Sequence, residues 1–527
     1  MNYRKNLLAL SLLALSAASL TSCGGGQEEV VDNAGGGAFY EIFVGSFCDS
    51  NGDGVGDLNG IKSKLPYLKS LGVSGLWLTP IHPSDTYHHY DVKDYYSVSS
   101  DFGTVEDFSS LCAAAKENGI EIIMDMVFNH TAKSSVFYKG WSEAFAKANK
   151  DSPYWDFYSW SETQKDGYAK DARLNVWIES NFSDSMPELN FDNPKVLEEL
   201  QKVQNFWLEK GASGFRYDAV KYFYCDNIGG TISGDTEKNV EVLSQLATSA
   251  KAKKADVYLV GECWVDDANE LTDYCKSGMN MFYFPTSGLE VPGAGSVVLG
   301  SGYTAFGDAV LDGYKLMKQK NANAEFACFV SNHDQDRWGD FREGKRNDIE
   351  QRKLVVSSYL LTPGTPFMYY GEEIEMLGSR GKNDMTDAMR RQAMIWGEES
   401  ITCKQPENFT FTPQTENTVK SCEENSNSLL NHYKKVLKLR NKYKDVFRKG
   451  SWDELNIGNS TRGFGFKITL DGTEYALVHN CGESNIEHTF DGDMEILGTI
   501  ETMQKSASLS NKKLSLPGYS TTLLRRK

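Results

Sequence analysis

The chain has 527 residues, 40% hydrophobic and 12% aromatic, a globular composition with ample material for a core. Its formal net charge of −17 at pH 7 excludes nucleic acid and anionic membrane surfaces as partners held by charge, and leaves neutral ligands open. The length exceeds one ordinary domain and suits a single large barrel with appendages, expected as a monomer.

The N-terminus reads as a processing signal. Arg4 and Lys5 precede an apolar stretch, Leu7 to Leu20, which is short of the ~20 residues that span a membrane. It ends in Leu20-Thr21-Ser22-Cys23, which resembles a bacterial lipobox. That resemblance implies a signal peptide over residues 1–22 and a lipid on Cys23. The only membrane contact would be that anchor, with the protein outside the cytoplasm. Residues 23–37, rich in glycine, then form a flexible tether.

From Ala38 onward, short apolar strands alternate with amphipathic helical stretches. The strands are expected at Phe39–Val44, Gly75–Thr79, Glu121–Met126, Gly214–Asp218, Val257–Glu262, Met279–Phe284, Ala327–Ser331 and Phe367–Tyr370. Helices are expected at Val105–Asn118, Pro194–Lys210 and Val240–Lys253. Such alternation predicts an α/β fold, a (β/α)8 TIM barrel. The connection after the third strand is too long for a loop, so residues 130–189 are expected to form an inserted small domain. The barrel would then comprise 38–129 and 190–446. Residues 447–527 turn to short alternating strands with glycine turns and read as a C-terminal antiparallel β-sandwich. Without Cys23, nine cysteines remain, an odd number; Cys403 and Cys422, in a polar stretch, are left open as a bridge.

In a barrel the chemistry lies at the C-terminal ends of the strands. The third strand ends in "DMVFNH", with Asp125, Asn129 and His130. The fourth strand offers Arg216 and Asp218 in "GFRYD", two apart and so on one side of an extended chain. Glu262 follows in "LVGECW", and His333 and Asp334 in "FVSNHD". A charged pair in an apolar strand costs desolvation energy unless it is used. Two carboxyls flanking a bond, one as nucleophile and one as proton donor, are what glycoside cleavage needs.

These four motifs, in this order and at these strand ends, resemble the conserved regions of the α-amylase family, glycoside hydrolase family 13. The likeness runs from "FYEIFVGSF" to "LPGYSTTLL". It implies that Asp218 is the nucleophile, Glu262 the general acid/base, and Asp334 the carboxylate that holds sugar hydroxyls. Arg216 would keep Asp218 ionised, and the apolar neighbours of Glu262 would keep it protonated. His130 and His333 match the family's sugar-binding histidines, and Arg216 is expected with them among the substrate-binding residues. In "TYHHYDVKDYY", His88 and Tyr90 match its second-strand loop, with His89 where many members have glycine. Asp125 is read as structural, near the barrel floor.

"DSNGDGVGD" places oxygen donors at every second residue, with glycines that permit a tight wrap. It is no EF-hand, since Gly60 stands at the twelfth position. It resembles the calcium loop after the first strand in the oligoglucosidase-like branch of the family. That implies a structural Ca2+ held by Asp49, Asn51, Asp53, the Val55 carbonyl and Asp57. A second calcium site of the family is not expected, because Tyr222 stands where its histidine would. "MPELN", residues 186–190, is similar to a motif that varies with specificity in the family. The expected activity is retaining, endo-type hydrolysis of α-1,4 bonds in starch, maltodextrin or related α-glucans. The alternatives are a transglycosylase or an α-1,6-acting glucosidase or neopullulanase on the same scaffold, or a glucan-binding protein without catalysis.

Overall fold

The computed structural model describes residues 37–288, 290–298, 303–339, 348–380, 386–408, 416–458, 462–501 and 505–527. The signal peptide, Cys23 and nearly all of the tether lie outside the described residues. Among the described residues, no helix is long and apolar enough to cross a membrane.

Eight parallel strands form the barrel: β1 (Phe39–Ile42), β2 (Gly75–Leu78), β3 (Glu121–Met126), β4 (Gly214–Tyr217), β5 (Tyr258–Gly261), β6 (Asn280–Phe282), β7 (Phe326–Ala327) and β8 (Phe367–Tyr369). They pair in chain order from β1 to β7, and β8 returns to pair with β1. The Phe367 amide donates to the Cys328 carbonyl at 2.7 Å and links the two ends of the ladder. The strands are buried on both faces, which is why they read as continuous apolar runs without alternation. At the start of β4, Gly214 is needed for close approach: a Cβ there would sit 1.9 Å from the Tyr258 carbonyl oxygen on β5.

Several strands end sooner than expected. β7 is two residues, Phe326–Ala327, and Cys328 to Ser331 run on as unladdered backbone toward His333. Apolar character carries past the ladder there because the loop itself is buried. Helices start where their caps are. Thr104 and Asp107 form a reciprocal capping box ahead of Val105–Glu117. Asn193 caps Pro194–Glu209, with proline in the first turn. The third helix begins at Thr236, ahead of the expected Val240, because Asp235 caps it and its first turn is polar.

Between β3 and β4, the chain forms a helix (Val136–Ala146) and a three-stranded antiparallel sheet, Trp160–Ser161, Tyr168–Asp171 and Val176–Glu179. Tyr138, Trp141 and Tyr158 are buried together there, so these rings are core. A hairpin that the sequence reading missed follows β4: Cys225–Ile228 pairs with Thr231–Gly234 across Gly229 and Gly230. Phe447 lies in a short helix, Lys444–Lys449, and the C-terminal strands start at Ser451. They form the expected antiparallel layers, one sheet of five strands and one of three. Cys403 and Cys422, left open as a bridge, are separate buried thiols.

Candidate active site

One fully buried guanidinium organises the strand ends. Arg216 Nη1 lies 2.7 Å from Asp125 Oδ1 and 2.6 Å from Asp218 Oδ1, and Nη2 lies 2.9 Å from Glu262 Oε1. The Trp77 and Tyr90 rings flank it at 5.1 and 5.8 Å. Three strands thus bring their carboxyls to one cation that cannot be deprotonated. Asp125 stands in β3 within this ion network, not at the floor. Its second oxygen accepts from Trp77 Nε1 at 3.2 Å and from the Tyr90 hydroxyl at 2.9 Å.

Beyond β4 the chain turns at Ala219, which takes a left-handed conformation (φ 52°). That conformation costs an L-residue about 1–2 kcal/mol. Its amide donates to Glu262 Oε2 at 3.1 Å, so the strained residue holds the second oxygen of that carboxyl. Burial pushes Asp218 up to about 6 against the pull of Arg216. Burial likewise pushes Glu262 up to about 7, and the Asp218 charge adds to it. Arg216 therefore restrains Asp218 without returning it to the ordinary carboxylate range. The two carboxyls behave as a pair, one ionised and one holding a proton near neutrality.

Asp334 is held from two sides. His333 Nε2 lies 3.0 Å from its Oδ2, and Arg391 Nη2 lies 2.7 Å from its Oδ1. Burial opposes its charge, but His333 and Arg391 hold the carboxyl well below its ordinary range. Burial alone would lower His333; the carboxylates of Asp334 and Glu41 reverse this and carry it up to about 10. Glu41, in β1, and Arg391 were both missed in the sequence. Glu41 gave a signal, a lone carboxylate in the apolar run "FYEIF". Arg391 follows a short 3-10 turn without periodicity and gave none.

These groups surround a cleft of about 750 Å³ whose wall includes Asp218, Glu262, Asp334, His88, Tyr90 and His130. Phe182 and Met186 of the inserted segment also line it, as do Arg390 and Arg391. Two expected sugar-binding residues, Arg216 and His333, are 0% exposed and stand behind the wall rather than in it. Tyr90 covers His333, ring on ring at 5.3 Å. His89 takes the left-handed conformation that glycine favours (φ 63°), packs on Phe102 and bonds the His82 carbonyl oxygen, which keeps it out of the cleft. Burial lowers His88 and His130 to about 4, so both are neutral hydrogen-bonding groups.

The loop after β1 folds on its own oxygens. Asp49 accepts from the amides of Asn51, Gly52 and Gly54, Asn51 from Asp53, and Asp53 from Val55. Asp57 accepts from Ser50 and caps the next helix. The donors are all hard oxygens, which suits calcium. Among the described residues, Glu179, Glu188 and Cys225 are the acidic and thiol groups whose ligand atoms lie within 4.8 Å of one another; the loop aspartates do not converge in this way.

The family model for the α-amylase catalytic domain matches residues 41–450. Alpha-amylase 3 of Dictyoglomus thermophilum is 35% identical over 92% of both chains. An oligo-1,6-glucosidase of Parageobacillus thermoglucosidasius is 28% identical over 84% of this chain and 89% of its own. The solved structure of Eubacterium rectale Amy13B superposes with a TM-score of 0.85 at 32% identity, covering 94% of this chain and 96% of that one. With the barrel and its ring of carboxyls, these matches show that the chain belongs to the α-amylase family of glycoside hydrolases, enzymes that act on α-glucans.

Proposed function

We propose that the enzyme is a retaining, endo-acting hydrolase of α-1,4-glucosidic bonds in starch, maltodextrin or related α-glucans. The observation that carries this is the bridging of Asp218 and Glu262 by a single guanidinium. Such bridging keeps the two carboxyls close, in keeping with the ~5–5.5 Å of retaining pairs rather than the wider gap that admits a water. Asp218 attacks the anomeric carbon as Glu262 gives its proton to the leaving oxygen. A covalent glycosyl-enzyme results. Water then attacks that carbon, losing a proton to Glu262, and frees Asp218. Asp334 holds sugar hydroxyls; Tyr90 stacks on the ring, and His88 and His130 bond its edge.

The α-1,4 preference is supported by the similarity to Alpha-amylase 3. The similarity to an oligo-1,6-glucosidase supports a second reading, in which α-1,6 bonds or sugar acceptors compete. Product analysis on starch, pullulan and isomaltose decides between them. Maltooligosaccharides from starch, with isomaltose left intact, are expected; release of glucose from isomaltose as the main activity would refute the first reading. Asp218→Asn should abolish starch cleavage by several orders of magnitude in a folded protein.

The activity should follow a narrow bell against pH. Asp218, pushed up to about 6, must be ionised, so the rate rises as pH passes 6. Glu262, pushed up to about 7, must be protonated, so the rate falls above 7. Glu262→Gln, assayed on a substrate with an activated leaving group, should lose the alkaline limb. A limb that persists there would belong to another group.

Calcium in the Asp49–Asp57 loop would serve stability, since the loop leaves β1 away from the cleft wall. A cation bound only to the native state stabilises it by mass action. Chelation and Asp53→Ala should each lower the melting temperature; a melting temperature indifferent to both would sink the site. Lipidation of Cys23, read from the lipobox resemblance, would tether the enzyme outside the cytoplasm. Cys23→Ser should release it from membranes, and continued sedimentation with them would contradict the anchor.

A further inference from the structure

Glu41 is a carboxylate in the middle of an apolar strand, 1% exposed. Its Oε1 lies 2.5 Å from His333 Nδ1 and accepts from the His333 amide at 3.3 Å. Placing an acid there costs desolvation energy that only a charged or strongly donating partner offsets. The hydrogen-bond geometry shows what that partner is.

Each contact of the His333 ring runs to an acceptor. Nδ1 faces Glu41. Nε2 faces Asp334 Oδ2 at 3.0 Å and the Tyr90 oxygen at 2.6 Å. The Tyr90 hydroxyl proton is already committed to Asp125 Oδ2 at 2.9 Å, and Asp125 is itself paired with Arg216. Tyr90 therefore has only an oxygen lone pair to offer His333. Burial pushes Glu41 up and the His333 ring pulls it back down. With Glu41 ionised, both ring nitrogens donate, and a neutral imidazole carries one N–H, not two.

We propose that Glu41 is a positioning residue of the active site: by engaging Nδ1–H it fixes His333 as a double donor, whose Nε2–H orients Asp334 and Tyr90 toward the sugar. It touches no substrate and acts through His333. With glutamine at 41, the ring loses one of the two carboxylates that favour its cation while its burial is unchanged. A ring made neutral at Nε2 would present a lone pair to Asp334 and to Tyr90, and both would swing away. The other charged or titratable groups around the ring are Asp334, Tyr90, Asp125, Arg216 and Arg391, whose Nε donates to the His333 carbonyl at 3.1 Å. None of them replaces Glu41 at Nδ1.

The inference rests on Asp334 being the third carboxylate of the reaction, so its test has an arm that does not read activity. In protein labelled with 15N-histidine, His333, assigned by loss of its signal in His333→Asn, should remain doubly protonated at pH 8 in the wild type. In Glu41→Gln it should become neutral below that pH. Loss of the cation in the wild type at pH 8, or its persistence in Glu41→Gln, would overturn the proposal whatever the rates. Kinetically, Glu41→Gln should lower kcat by about 10–100-fold, by analogy with the loss of a group that orients a metal-ligating histidine. The loss should grow as pH rises, with KM changed less. In a His333→Asn background, Glu41→Gln should cost nothing further. A merely structural Glu41 would instead lower the melting temperature and leave the pH profile, kcat and the histidine signal unmoved.

Discussion

The structure depends on a buried guanidinium that no solvent reaches. Arg216 is 0% exposed, and a lone charge there would be prohibitively costly. Its cost is offset only if β3, β4 and β5 stand in the register that brings Asp125, Asp218 and Glu262 within ion-pair distance. Barrel register, strand length and the glycine at 214 are thus tied to the chemistry. Losing the arginine would leave the three carboxyls buried without their shared cation.

The wider network has a charge balance that suits the reaction. Three cations, Arg216, His333 and Arg391, face five carboxyls: Glu41, Asp125, Asp218, Glu262 and Asp334. With a proton on Glu262, and Glu41, Asp125 and Asp218 ionised by their cations against the upward push of burial, one negative charge remains at the strand ends. Glycoside cleavage develops positive charge at the anomeric carbon, so the residual charge is fixed before it is needed. His88 and His130, both neutral, line the cleft without adding to that balance. A net charge of −17 over the whole chain does not hinder an uncharged glucan.

Much of this was legible in the sequence because the barrel repeats and its strand ends carry the chemistry. The charged pair at 216 and 218 stood out against apolar neighbours, and so did Glu262. Glu41 had the same signature and was passed over, because a lone carboxylate in a first strand names no partner until β1 and the loop after β7 are seen together. Arg391 had no local signal at all. Its role comes from a loop far along the chain closing on Asp334. The hairpin at Cys225–Gly234 was missed because it is polar and half exposed, without an apolar alternation to mark it. His89 illustrates the opposite error. A side chain where many members have glycine points to an altered cleft, but the left-handed backbone turns the His89 ring into the protein.

The proposed retaining mechanism rests on one guanidinium that contacts both Asp218 and Glu262. The measurement that reaches this most directly is proton NMR of a starch or maltooligosaccharide digest, taken before mutarotation. The α-anomer should appear first at the new reducing end, since two inversions through a covalent intermediate restore the starting configuration. First appearance of the β-anomer would mean direct attack by water, and the paired-carboxyl account would be wrong.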